Sequence, residues 1–138
     1  MTPGSVAASC TGLGPSIRGA SGVIDGKMYV AAGLRDFTNV AQLDVYDPAT
    51  GHWNTLRQVP SGGPAIGAVV RGRFYVITGG GTYAYNPKTD TWDAKASPSQ
   101  AHDALLRVNL SGAARLLAVG GSHGPELDVP NDSELYTP

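Results

Sequence analysis

One segment of this chain occurs twice at a fixed distance, and that repetition limits the possible folds more than any other feature. Residues 43–53 (LDVYDPATGHW) and 82–92 (TYAYNPKTDTW) share a Tyr, an Asp/Asn-Pro step, a Thr and a Trp. The offsets 85 − 46, 89 − 50 and 92 − 53 are all 39. A third copy starts at residues 133–138 (SELYTP). Regular self-similarity of this length marks an array of small structural units, each too small to bury its own apolar face.

Upstream of each copy lies a short apolar run that ends in glycine: residues 27–33 (KMYVAAG), 73–80 (RFYVITGG) and 115–121 (RLLAVGG). Runs this short and this rich in β-formers read as buried strands. Ahead of them stand residues 20–24 (ASGVI), 66–70 (IGAVV) and 104–108 (ALLRV). The links Asp25-Gly26 and Arg71-Gly72 predict tight two-residue hairpins. In the third copy, residues 109–112 (NLSG) predict a longer turn. The 19 Gly and 10 Pro fit such a turn-dense, all-β chain.

A glycine doublet after a β-run, a Tyr-(Asp/Asn)-Pro turn and a Trp seven residues past that Tyr resemble the kelch repeat. The resemblance covers roughly residues 16–138. Unit one departs from it with Ala32-Gly33 in place of the doublet, and unit three lacks the Trp. The resemblance implies a kelch-type β-propeller of about three four-stranded antiparallel blades. They would occupy residues 16–60, 61–98 and 99–138, the third without its outer strand. Tyr46, Tyr85, Trp53 and Trp92 are expected as packing between blades. Residues 1–15 stand where an outer strand would precede blade one, and could supply the strand that blade three lacks.

A ring of three blades would be too tight, and an open arc would leave strand edges and apolar faces bare. Two resolutions stand open. Either two chains close a six-bladed ring as a homodimer, or the sequence is a piece of a longer kelch chain.

Function is expected on the end of the propeller that carries the longer loops. Counting back from each innermost strand puts Arg18, Pro64 and His102 at equivalent positions around the channel mouth. Arg35, Asp36, Phe37, His123, Glu126 and Asp128 fall in loops at the same end. Arg18, Arg35, Asp36, Phe37 and Glu126 are the candidate ligand contacts: arginine forks suit carboxylates and phosphates, and aromatic rings anchor proteins. His102, Asp103 and His123 are the candidate acid/base groups. Two functions follow. One is a binding module for a protein or small-molecule ligand, and the other an enzyme acting on a carbohydrate or small metabolite.

Several classes are disfavoured. Ten basic against 11 acidic residues, net charge −1, leave no nucleic-acid footprint. No apolar run approaches the roughly 18 residues of a membrane span. The three His residues lack metal-ligand spacing, and no cofactor motif appears, so neither metal nor cofactor is expected. A single cysteine, Cys10, and no secretory pattern at the start lead to an expected cytoplasmic location.

Overall fold

A computed structural model describes residues 17–99, 102–120 and 133–136. These residues are all strand and connection. The first sheet runs β1 (Ala20–Ile24), β2 (Lys27–Ala31), β5 (Leu43–Asp47), β6 (His52–Leu56), in that spatial order and antiparallel throughout. Between β2 and β5 a small hairpin stands out from it, β3 (Leu34–Arg35) with β4 (Thr38–Asn39). The second sheet repeats the four-strand order as β7 (Ala65–Val70), β8 (Arg73–Thr78), β9 (Gly81–Asn86) and β10 (Thr91–Lys95). The third consists, among the described residues, of β11 (Ala104–Leu110), β12 (Ala113–Val119) and β13 (Ser133–Tyr136). The expected blades are therefore present, and no Trp-bearing fourth strand appears in the third among the described residues. Residues 1–15, expected as a closing strand, lie outside the described residues.

All three inner hairpins turn through two residues with positive φ: Asp25 and Gly26 (49° and 76°), Arg71 and Gly72 (51° and 71°), Ser111 and Gly112 (51° and 76°). This is the turn whose twist matches that of the strands. The longer third turn expected from the sequence is thus a correction. Ser111-Gly112 suffices, and the flanking strands reach Leu110 and Ala113.

The apolar run at the centre of blade two is continuous because it faces a described neighbour on both sides. Phe74 and Val76 of β8 join Ile24, Tyr29 and Leu43 of blade one in one core cluster. Tyr75 joins Leu105, Leu116 and Ala118 of blade three in the other. Side chains such as Phe74 and Leu43, fully buried, each contribute about 1.5–3 kcal/mol by leaving water. Inner strands approach closely at glycine: a Cβ on Gly67 would lie 2.8 Å from the Ala20 Cβ, so any larger residue there would force the blades apart. The tyrosines and tryptophans fill the seam, with ring centroids 6.0 Å apart for Tyr29–Tyr85 and 5.1 Å for Tyr85–Trp92.

Hydrogen bonds also cross this seam. The Trp92 Nε1–H donates to the Arg57 carbonyl at 2.9 Å, and the Arg57 N–H donates to Asp90 Oδ1 at 3.0 Å. Asp90 Oδ1 also accepts from the Tyr85 hydroxyl at 2.8 Å.

Candidate functional site

Two features occupy the end of the blades opposite the tight inner turns. The first is a cleft of about 450 Å³ over blade two. Its origin is a difference in connection length. In blade two, β8 passes to β9 through Gly79-Gly80 alone, whereas ten residues or more separate the corresponding strands on either side. The short turn is braced by the Gly80 N–H donating to Thr78 Oγ1 (3.2 Å) and the Tyr83 hydroxyl donating to the Gly80 carbonyl (3.2 Å).

Arg18, Pro64, His102 and Asp103 all line that cleft, with apolar wall from Ala65, Ile66 and Ile77. The counting argument that made Arg18, Pro64 and His102 equivalent therefore meets one physical concavity. Arg18 sits at φ 59°, a costly conformation for a side-chain-bearing residue. Its carbonyl accepts the Ala65 N–H at 2.8 Å and so ties blade one to the start of blade two. His102 is oriented by the Gly120 carbonyl, 3.0 Å from Nδ1. A carbonyl only accepts, so Nδ1 carries the proton, and in the neutral ring Nε2 holds the lone pair. Asp103 beside it donates its main-chain N–H to the Val119 carbonyl at 3.2 Å.

The second feature is the β3–β4 hairpin. Residues 34–39, expected as an irregular loop, pair as Leu34↔Asn39 and Arg35↔Thr38. Its turn is Asp36 (φ 49°) and Phe37 (φ 61°), both left-handed. The hairpin is rooted through Ile17↔Leu34 and through the Gly33 N–H on the Gly63 carbonyl at 2.8 Å. Phe37 at its tip is 96% exposed. None of Arg35, Asp36 and Phe37 lines the cleft. The candidates thus divide into a cleft group and a hairpin group. His123, Glu126 and Asp128 lie outside the described residues.

Three features escaped the sequence reading. Asp44 is buried, its carboxylate held by Gln42 Nε2 (2.9 and 2.8 Å) and the Thr55 hydroxyl (2.7 Å). Asp90 fastens a seam rather than capping a turn. Trp53 has its indole N–H shielded from solvent with no acceptor among the described residues. An Asp inside an apolar strand pattern is the only one of these with a local sequence signal. At the opposite end of the blades, Lys27 and Asp47 pair at 3.0 Å. The ammonium and the Ala49 N–H hold the Asp47 carboxyl below its usual range. No cluster of three or more candidate metal ligands occurs among the described residues, nor is any helix there long and apolar enough to cross a membrane.

A profile of the kelch motif matches residues 18–60, which is blade one. Two F-box/kelch-repeat proteins of Arabidopsis thaliana are similar to this chain, 35% identical over 81 residues and 34% over 82. These matches take in 52% and 54% of the chain but 20% of each relative. The chain thus matches about a fifth of the length of these curated relatives.

Proposed function

This chain is built from kelch repeats, and from that premise we propose that it is a protein-binding module. In this reading the β3–β4 hairpin and the cleft form one binding face, displayed on a six-bladed ring made of two copies. Kelch repeats generally mediate protein binding; the particular face and the two-copy ring are our own reading.

The observation that carries the proposal is Phe37. Turns of this left-handed kind favour Asn-Gly, and here an Asp and a Phe occupy them. Holding a Phe in that backbone costs about 1–2 kcal/mol. Leaving its ring in water returns nothing to the fold. A bulky ring held at a rigid tip fits an anchor that enters a partner's apolar pocket, where aromatic residues carry most of the binding energy. Arg35 adjoins it as a fork for polar contacts at the rim. The cleft contributes Arg18 and His102 as polar groups over an apolar floor, suited to a side chain or small ligand with an acidic group.

A photoreactive benzoylphenylalanine at position 37 tests this in an extract of the source cells. The expected result is a discrete crosslinked polypeptide, competed away by excess unmodified chain but not by Phe37→Ala. Once purified, that polypeptide should bind the unmodified chain at least about tenfold more tightly than F37A. Equal affinities would remove Phe37, and with it the hairpin, from the binding face.

A further inference from the structure

Beside the strained turn, the β3–β4 hairpin carries a second cost that the fold does not offset. Arg35 is half-buried, and its Nε–H is shielded from solvent with no acceptor among the described residues. A shielded donor without an acceptor keeps the penalty of leaving water and gains nothing in exchange. The charge is unmatched as well. Lys27 and Arg73 pair with Asp47 and Asp93 at 3.0 and 2.8 Å, whereas no carboxylate pairs with Arg35 among the described residues, the adjacent Asp36 included.

The base of the hairpin is tightly packed. A Cβ on Gly33 would come within 2.8 Å of the Ile17 carbonyl oxygen, and one on Gly62 within 2.9 Å of the Val40 carbonyl. The Val40 N–H donates to the Gly33 carbonyl at 3.0 Å, and the Gly63 N–H to the Val40 carbonyl at 3.2 Å. On this firm root three successive residues sit in unfavourable states. Arg35 has its unpaired donor, and Asp36 and Phe37 have left-handed backbone at 49° and 61°. Unfavourable states that cluster on one rigid element fit a surface kept for something outside the chain.

The chemistry of Arg35 narrows what that is. A guanidinium presents Nε–H and one Nη–H side by side, and the two oxygens of a carboxylate match that spacing. Phosphate groups are commonly taken by clusters of cations. Arg18 and His102 line the cleft, which Arg35 does not, and Asp36 beside it would repel a doubly charged group. One cation next to an acid suits a singly charged carboxylate.

We propose that Arg35 is the receptor for a carboxylate of the partner, an Asp or Glu side chain at the rim of the apolar pocket that takes Phe37. Shielded in the free chain, Nε meets that acceptor only when the side chain turns away from the hairpin. Docking then exchanges an unpaired donor for a charge-assisted pair of hydrogen bonds. The partner is thus a folded protein with an acidic rim: Phe37 supplies contact area, and Arg35 selects the acid. The inference rests on the binding face proposed above and names the chemistry that face recognises.

The test uses the 138-residue chain with two substitutions. Arg35→Met keeps an unbranched stem and removes every guanidinium N–H, and Arg35→Lys keeps the charge without the fork. In urea, R35M without partner should have an unfolding constant about tenfold lower than the unmodified chain, because the unpaired donor is gone. Toward the purified polypeptide that crosslinks through position 37, R35M should raise the dissociation constant at least about tenfold, with R35K in between. Carbodiimide should join the amine of R35K to an Asp or Glu of that polypeptide. Replacing that one acid by its amide should weaken binding to the unmodified chain about tenfold and leave binding to R35M unchanged. Phosphatase treatment of the polypeptide should change nothing.

An R35M no more stable than the unmodified chain overturns the proposal, since the donor would already be satisfied. So does an R35M that binds as tightly. Additive effects of R35M and the amide overturn the pairing, and loss of binding after phosphatase assigns the acceptor to phosphate instead. The binding face is scored apart by F37A. If F37A loses binding and R35M keeps it, the hairpin stays in the face and only the carboxylate falls. Absence of any crosslink through position 37 removes both.

Discussion

Asp90 and Gly51 occupy the same place in successive blades, and the difference between them shows how one residue can tie two blades together. Both adopt positive φ, 51° and 73°. Gly51 does so at little cost, whereas Asp90 carries about 1–2 kcal/mol of strain. Its carboxylate offsets that strain by accepting the Arg57 N–H across the seam and the Tyr85 hydroxyl within its own blade. Burial, with the Asp90 carboxylate beside it, pushes the Tyr85 phenol well above its ordinary value of 10. The folded protein therefore keeps that proton after the unfolded chain has released it. The resulting stabilisation is complete below pH 10 and is lost as pH rises past it. Urea unfolding of the unmodified protein should weaken steadily from pH 10 upward. Tyr85→Phe should cost about 1 kcal/mol at pH 7, from the lost hydrogen bond. It should also weaken less steeply in alkali. Tyr29 and Tyr75, raised as well by burial, retain part of the slope. An unchanged slope in Y85F would mean that this phenol holds its proton equally in the folded and unfolded states. The role of Asp90 was not legible in the sequence, since its partner lies 33 residues away and a turn position predicts only a turn.

At the scale of elements, the sequence was read well where a turn has a strong chemical preference and poorly where polar residues interrupt a strand. Asp25-Gly26 and Arg71-Gly72 declared their hairpins. The third hairpin was shortened in the reading because Arg107 and Asn109, both exposed, break the apolar pattern two residues before the turn. The β3–β4 hairpin was missed for a similar reason: Asp-Phe is a poor match to its turn, and two-residue strands have no periodicity to detect. That mismatch gives a prediction opposite in sign for stability and for binding. The double variant Asp36→Asn, Phe37→Gly installs the preferred turn pair and should raise unfolding free energy by about 1–2 kcal/mol. The same protein should lose crosslink-dependent partner binding. A variant that gains stability and still binds would show that the ring is not the anchor. One that loses stability would show that Phe37 packs in the folded state despite its exposure.

At the scale of the molecule, the repeat carried the architecture because packing between blades demands the same residues each time. It located the cleft as well, since equivalent starts of inner strands converge at one end, bringing Arg18, Pro64 and His102 together. The two-copy ring proposed above is not legible in that way, because contacts between copies leave no periodicity in one chain. Thermal unfolding measures the consequence directly. If two chains share two seams, unfolding separates them, and mass action makes the midpoint depend on concentration. Each tenfold rise in protein should stabilise the two-chain state by about 1.4 kcal/mol, which raises the midpoint by a few degrees. Removing the apolar faces from water is then a stabilisation that exists only in the pair, and a chain melting at one temperature from micromolar to hundreds of micromolar would show its blades to be sufficient alone.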